Sequence, residues 1–122
     1  MELIPLTKEY YEFVRLLRTH PNNQEGFILQ VDITPEQQAE YMRRYSKNYF
    51  VCLSYNEPVG YIGVISNDIR VCVHTDHKGV GIGKFMLEQI VAIFPDATGK
   101  IKKDNIASQK LFDKCKVPYT II

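Results

Sequence analysis

Apolar residues follow a helical spacing in the first part of the chain. Tyr10, Phe13, Val14 and Leu17 recur at positions i, i+3, i+4 and i+7. This period is typical of a helix with one buried face, and it predicts an amphipathic helix from about Thr7 to Thr19.

A second helix is indicated by the residues that would cap its start. Thr34 is suited to the N-cap position, Pro35 to the first helical position and Gln37 to the reciprocal contact of a capping box. The pattern predicts a helix that begins after Thr34 and extends to about Lys47.

The spacing then becomes that of strands. Tyr49–Tyr55, Val59–Ile65 and the segment from Ile69 onwards are rich in β-branched and aromatic residues, and the turn sequences NEP and SND separate them. Alternation in the third strand predicts that Ile69, Val71 and Val73 face one way and Arg70, Cys72 and His74 face the other. We therefore expect three consecutive antiparallel strands.

The pattern in the last third of the chain predicts two helices and two short strands. One helix spans Ile82 to about Phe94, a strand spans Thr98–Lys102, Asp104 or Asn105 caps another helix, and PYTII is a terminal strand. The inner face of the first of these helices is predicted to hold Met86, Ile90, Ile93 and Phe94. The order ααβββαβαβ predicts an α+β fold, a mostly antiparallel central sheet flanked by helices.

Length and charge restrict the organisation and the partners. The chain has 122 residues and predicts a single domain over 1–122. A net charge of +1 makes no electrostatic case for nucleic acid or an acidic membrane surface. The sequence has no apolar run of about 20 residues and no signal-peptide pattern, so a cytoplasmic protein is expected.

The cysteines and histidines do not indicate a metal centre. Cys52, Cys72 and Cys115 cannot all pair, and no two of them have CxxC spacing. The three histidines have no cysteine or carboxylate at metal-ligand spacing. We expect reduced thiols and no bound metal.

The sequence HKGVGIGK, His77–Lys84, has three glycines where a helix begins. The first N–H groups of a helix have no intrahelical partner, and glycine lets an anion approach them closely, so this stretch fits a phosphate site. The alternative is a sharp turn without a ligand. The stretch does not match the GxGxxG pattern of dinucleotide-binding sites, because the residue at position 84 or 86 is not glycine. It does not match the Walker A pattern of nucleotide-binding loops either, because Phe85 cannot bind magnesium.

The remaining pattern, Lys78-x-x-Gly81-x-Gly83, resembles the Q/R-x-x-G-x-G/A acetyl-CoA signature of the GNAT superfamily of N-acetyltransferases. IRVCVHTDHK before it, KFMLEQIVAIF after it and DNIASQKLF near the C-terminus are similar to family segments in the same order. The resemblance implies an acetyl-CoA slot between splayed strands and a single-step transfer of acetyl to an amine. The residues that it implies for coenzyme binding are Val71, Cys72, Val73, Lys78, Gly79, Val80, Gly81, Ile82, Gly83, Lys84, Asn105 and Ser108.

Three positions depart from the family pattern. Lys78 replaces Gln or Arg, and Phe112 stands where many members have a tyrosine that protonates the departing thiolate. Lys116 and Val117 replace a Gly-Phe pair, and the terminal hairpin is short. An acceptor-site wall would then be absent or be supplied by a second subunit of a homodimer.

Two residues are candidates for the proton transfers. Tyr119 on the final strand is the predicted substitute for the missing acid, and His74 is the candidate base, with a structural histidine as the alternative. Asn105 could also serve simply as a helix cap. Arg43, Arg44 and Lys47 are interpreted as an exposed helix face.

The acceptor is expected to be a small polar amine such as an amino sugar, amino acid or polyamine. The resemblance implies that the segment between the first two helices, Arg18–Ile33, borders its site. Two other functions stay open: a non-catalytic acyl-CoA-binding or regulatory domain, and an interaction domain without a ligand.

Overall fold

The computed structural model describes residues 1–20, 33–74, 77 and 80–122 of the chain. Short 3₁₀ turns occupy Lys8–Tyr10, before the first helix, and Ser46–Asn48, after the second helix. The helices and strands are β1 (Glu2–Pro5), α1 (Tyr11–Thr19), α2 (Pro35–Tyr45), β2 (Tyr49–Ser54), β3 (Glu57–Ile65), β4 (Asp68–Val73), α3 (Ile82–Ile93), β5 (Gly99–Ile101), α4 (Ile106–Cys115) and β6 (Tyr119–Ile121).

The central sheet is antiparallel, with strand order β1-β2-β3-β4. Tyr55 and Asn56 join β2 to β3, and Ser66 and Asn67 join β3 to β4; all four have positive φ, as two-residue type I′ hairpins require. The predicted α+β architecture and the three consecutive strands are confirmed. The structure adds β1, which pairs with β2 and which the apolar pattern did not predict because four residues carry too little alternation.

Two details of the helices differ from the prediction. The first helix was expected from Thr7, but a 3₁₀ turn occupies Lys8–Tyr10 and α1 begins at Tyr11. Ile93 was expected on the inner face of α3, yet it is 52% exposed. α3 ends at Ile93, whereas Ile90, one turn earlier, is fully buried.

Helices cover both faces of the sheet. The first core lies under α3 and α4, and the second lies under α1 and α2; completely burying a large apolar side chain contributes about 1.5–3 kcal/mol. Alternation in β4 is confirmed, because Ile69 belongs to the first core and Cys72 to the second. The first core includes Ile62, Val64, Ile69, Met86, Leu87, Ile90 and Phe112, and the second includes Val14, Leu17, Met42, Tyr49, Tyr61 and Cys72.

β4 and β5 meet at one end and then separate. A parallel bridge joins Asp68 to Thr98, the N–H of Ile69 donates to the Thr98 carbonyl at 2.9 Å, and the Thr98 N–H donates to the Asn67 carbonyl at 2.8 Å. β5 then pairs in parallel with β6. The predicted splay between the fourth and fifth strands is therefore present, and it opens beyond Ile69.

Candidate functional site

A cavity of about 520 Å³ lies where β4 and β5 separate. Residues from both faces of the sheet line it, since the splay is a gap between two neighbouring strands. The lining residues are Arg18, Tyr49, Tyr61, Asp68, Ile69, Arg70, Val71, Lys100, Ile101, Asn105, Ser108, Phe112 and Ile122. Val71, Asn105 and Ser108 are among the residues predicted for coenzyme binding, and the structure brings them to this one cavity.

One wall of the cavity comes from α4. Asn105, Ser108 and Phe112 are three and four residues apart, so they share one face of the helix. The Asn105 side chain also accepts a hydrogen bond from the Ser108 N–H at 3.2 Å, which makes Asn105 the N-cap. The ligand contact and the capping role that the sequence left open for Asn105 are compatible, because the residue caps α4 and lines the cavity.

The opposite wall is aromatic and basic. Tyr49 on β2, Tyr61 on β3 and Arg70 on β4 line it. The Tyr41 and Tyr49 hydroxyls are 2.8 Å apart, and Arg70 Nη1 donates to the Tyr41 hydroxyl at 3.5 Å. This wall was missed by the sequence analysis. Alternation in β4 placed Arg70 on this face, but the tyrosines come from other segments and only packing joins them.

Burial and the nearby positive charges shift the pKa of Tyr49 and Tyr61 in opposite directions. Burial raises the pKa of Tyr49, with the hydrogen bond to Tyr41 adding to the effect, while Arg70 and Arg18 act to lower it. Burial likewise raises the pKa of Tyr61 well above its ordinary value, and Arg18 opposes this rise. Both hydroxyls therefore stay protonated near neutral pH, and the wall presents hydrogen-bond donors beside positive charge.

The glycine-rich start of α3 has the geometry of an anion site. Gly81 is the N-cap with a φ of 88°, in the left-handed region, and an added Cβ would find no atom of the described residues within 4 Å. Its carbonyl accepts the Phe85 N–H at 3.0 Å. Val80 is exposed, so side-chain packing does not cover the turn on that side. The N–H groups of the first turn thus begin beside open space.

Gly83 has a structural role as well. An added Cβ would lie 2.9 Å from Leu111 Cδ2 and 3.8 Å from Val73 Cγ2, so the missing side chain lets α3 approach α4 closely. Ile82 beside it is buried. Lys84 pairs with Glu88 at 3.8 Å. Lys78 and Gly79, also predicted for coenzyme binding, lie outside the described residues.

The edge of β4 directs alternate backbone groups toward the splay. The His74 N–H donates to the Val59 carbonyl on β3, whereas the Ile69 N–H donates away from β3 to Thr98. In an antiparallel pair this alternation continues along the strand, so the polar groups of Val71 and Val73 point toward the splay. The backbone of Cys72 points to β3, and its side chain is buried in the second core.

The two predicted proton-transfer residues do not belong to the described cavity lining. The Tyr119 hydroxyl donates to Asp113 Oδ1 at 2.9 Å, and its ring lies edge-on to Phe112 with centroids 5.9 Å apart. That hydrogen bond raises the pKa of Tyr119. The His74 ring is 5.4 Å from that of His77. Both assignments stay predictions.

Three further observations concern the described residues. No group of three or more His, Cys, Asp and Glu side chains there could hold a metal ion. No helix among them has the length and apolar character needed to cross a membrane. Of the segment expected to border the acceptor, Arg18 lines the cavity, but residues 21–32 lie outside the described part of the chain.

Comparison with known proteins identifies the family. A profile of the Acetyltransferase (GNAT) family matches residues 8–116. The chain therefore belongs to the GNAT family of acetyltransferases, as its glycine-rich loop and strand order indicated. A comparison with curated proteins finds no match.

Solved structures share the fold at low identity. A ribosomal-protein-alanine N-acetyltransferase from Brucella melitensis has a TM-score of 0.78 at 15% identity, covering 93% of this chain and 82% of that one. Spermidine N-acetyltransferase from Vibrio cholerae, solved with CoA and spermine, has a TM-score of 0.80 at 12% identity. The match covers 93% of this chain and 78% of that one. A Salmonella typhimurium protein solved with acetyl-CoA has a TM-score of 0.75 at 18% identity. The match covers 93% of this chain and 77% of that one.

Proposed function

We propose that this protein transfers the acetyl group of acetyl-CoA to the primary amine of a small polar molecule by direct attack. The observation that carries the proposal is the cavity at the β4–β5 splay, whose surface is mainly apolar and which has polar side chains on both of its walls. Family membership supports an acyltransferase, and the neighbours solved with CoA or acetyl-CoA support the coenzyme.

The start of α3 fits the diphosphate of the coenzyme. Gly81 would keep the approach clear, since no atom in the described part of the chain lies within 4 Å of where its Cβ would be. The N–H groups from Val80 to Lys84 would bind the phosphate oxygens, and Lys78 and Gly79 belong to the same proposed loop. Gly83 would support phosphate binding indirectly. Its missing side chain allows the close packing of α3 on α4 that holds this turn in position.

The edge of β4 fits the pantetheine arm. The N–H and C=O groups of Val71 and Val73 are the proposed partners for its amides, because alternation turns them toward the splay. Cys72 lies between them in the strand, and its small side chain is buried in the second core. Asn105 and Ser108 on α4 are the proposed contacts on the other side.

The reacting groups would meet in the cavity. When bound, acetyl-CoA supplies the thioester carbonyl that the amine attacks. The N–H of Val71 or Val73 is the proposed donor to the oxyanion, a type of contact worth about 2.7–4 kcal/mol. Ser108 is the better-positioned donor to the leaving thiolate, because it lines the cavity one turn from Phe112. Tyr119 is the alternative donor, and His74 is the proposed base.

A second function is favoured by the side chains near Phe112. Phenylalanine has no proton to donate, and the Tyr119 hydroxyl is already bonded to Asp113. A domain that binds acyl-CoA without turning it over would have this arrangement. Both functions require the same coenzyme, so binding alone does not separate them.

Release of free thiol from acetyl-CoA tests the proposal. The purified chain is assayed with amino acids, amino sugars and polyamines, and CoA binding is measured in parallel by calorimetry. We expect CoA to bind and thiol release to depend on one class of amine. Binding without amine-dependent release would favour the non-catalytic domain, and absence of binding would contradict both functions.

A further inference from the structure

We propose that the acceptor amine also carries a carboxylate, as a free amino acid does, and that Arg70 binds this carboxylate with the help of Arg18 and Lys100. The inference rests on the proposed acetyl transfer and specifies its substrate class. It selects one of the three acceptor classes that the sequence left open.

The charged side chains of the cavity are mostly basic. Among the described lining residues, Arg18, Arg70 and Lys100 are basic and Asp68 is acidic. They come from α1, β4 and β5, so three separate segments bring positive charge to one cavity. The chain as a whole has a net charge of only +1, and the cavity is therefore a local concentration of charge. A cavity with this balance attracts an anionic group and repels a polycation.

Arg70 keeps capacity to bind a ligand. Its Nε is 3.7 Å from Asp68 Oδ2, and its Nη1 is 3.5 Å from the Tyr41 hydroxyl, so both contacts are at the long limit of their range. A guanidinium has five N–H donors in a planar fork that matches a carboxylate. Its side chain is 40% exposed, which leaves it accessible from the cavity.

The position of Arg70 suits a substrate with two adjacent functional groups. Arg70 precedes Val71, whose backbone N–H points toward the splay and is a proposed donor in the reaction. Neighbouring Cα atoms are about 3.8 Å apart. An amine near the Val71 N–H therefore lies within an arginine side-chain length of a carboxylate bound by Arg70, which is compatible with an amino acid.

The positive charge of the arginines also acts on the tyrosines of this wall, against the larger effect of burial. Arg70 and Arg18 each act to lower the pKa of Tyr49, and Arg18 acts on Tyr61 in the same way. The positive charge of both arginines therefore reaches the wall on which the acceptor would lie.

Matched pairs of acceptors test the inference. Thiol release from acetyl-CoA is measured with L-amino acids, with their carboxamides and with spermidine. We expect the best amino acid to exceed its own carboxamide in kcat/KM by at least about tenfold, since hydrogen bonds between charged groups are about twice as strong as neutral ones. Spermidine should be a poorer acceptor than that amino acid.

Variants assign the preference to Arg70. Arg70→Gln should bring the amino acid and its carboxamide to nearly equal kcat/KM, whereas Arg70→Lys should keep part of the preference because the charge remains. Arg43→Gln is the matched control, since Arg43 is exposed on α2 and paired with Glu40. Thermal unfolding of each variant shows that the chain is folded.

A binding measurement separates this inference from the proposed function. Calorimetry with the N-acetyl amino acids and their carboxamides, on the CoA-loaded protein, needs no turnover. If no amine releases thiol but the acid binds at least about tenfold better than the carboxamide, the proposed catalysis fails and the inference holds for the binding site. Equal binding of acid and carboxamide, preference for spermidine, or an unchanged preference in Arg70→Gln would overturn it.

Discussion

The two ends of the β4–β5 slot are built in different ways. At the α3 end, Gly81 and its neighbours offer backbone N–H groups beside open space, and the chemistry depends on the absence of side chains. At the cavity end, Arg70, Tyr49 and Ser108 offer side chains from three different elements. The proposed phosphate contacts at the first end come from the backbone of one turn, whereas the proposed acceptor contacts at the second end depend on the identity of individual side chains.

A side chain at Gly81 is expected to have the largest effect. Gly81→Val should weaken CoA binding about 100-fold or more, a change of about 2.7 kcal/mol, because the side chain enters the proposed phosphate space. It should also reduce the free energy of unfolding by about 1–2 kcal/mol, since φ is 88°. Calorimetry and denaturant unfolding measure the two effects.

Gly81→Asn separates the two causes, because asparagine tolerates positive φ better than valine. It should lose CoA binding as Gly81→Val does, with a smaller loss of stability. If Gly81→Asn binds CoA like the wild-type chain, the effect of valine is one of backbone strain and the α3 end is an ordinary turn.

A tyrosine at position 112 would change the cavity end alone. Phe112→Tyr should raise the acetylation rate by about tenfold or more, because general acid catalysis contributes about 10²–10⁴-fold. Its affinity for CoA should stay within about twofold, since the diphosphate is bound at the other end. Single-turnover kinetics with calorimetry test this, and an unchanged rate would show that another group already supplies the proton.

Ser108→Ala and Tyr119→Phe identify that group. Because Ser108 lines the cavity and the Tyr119 hydroxyl is bonded to Asp113, we expect Ser108→Ala to lower the rate about tenfold and Tyr119→Phe to lower it less. Tyr119→Phe should leave CoA affinity unchanged, and Ser108→Ala should weaken it only slightly, since Ser108 is one of several proposed contacts with the pantetheine arm. The reverse order would return the role of acid to Tyr119.

Alkaline pH is expected to have the smallest effect, and it should act at the cavity end. The pKa of Tyr49 is higher in the folded chain than the ordinary value of 10.0, so its contribution to stability is complete below that pH. As the pH rises from 10.0 toward the higher pKa of Tyr49 in the folded chain, the free energy of unfolding falls by about 1.4 kcal/mol per pH unit.

Tyr49→Phe tests this dependence by denaturant unfolding at several pH values. At pH 8 the variant should be less stable by about 1 kcal/mol, because it loses the hydrogen bond to Tyr41. Above pH 10 the difference should narrow and then change sign, because only the wild-type chain has the Tyr49 hydroxyl that titrates. Tyr55→Phe is the matched control, since Tyr55 is 98% exposed, and a gap that stays constant with pH would contradict the assignment.

The sequence alone determined most of the local elements, and it predicted the phosphate site that we propose at the start of α3. Helical spacing, capping residues, alternating strands and turn residues act over a few positions, so they are visible along the chain. The glycine pattern is equally local, because a phosphate site of this kind is a property of one turn and one helix start. The N-terminal strand β1 was missed, since a short strand is stabilised by its pairing with β2 and has little pattern of its own.

Tertiary structure alone decided the composition of the cavity end. Arg18, Tyr49, Arg70 and Lys100 are far apart in sequence, and each has an ordinary structural role by pattern. They meet because β4 and β5 are joined at Asp68 and Thr98 and then diverge, so side chains from both faces of the sheet reach one gap. No local rule encodes that convergence, because it depends on long-range pairing and packing of the whole sheet.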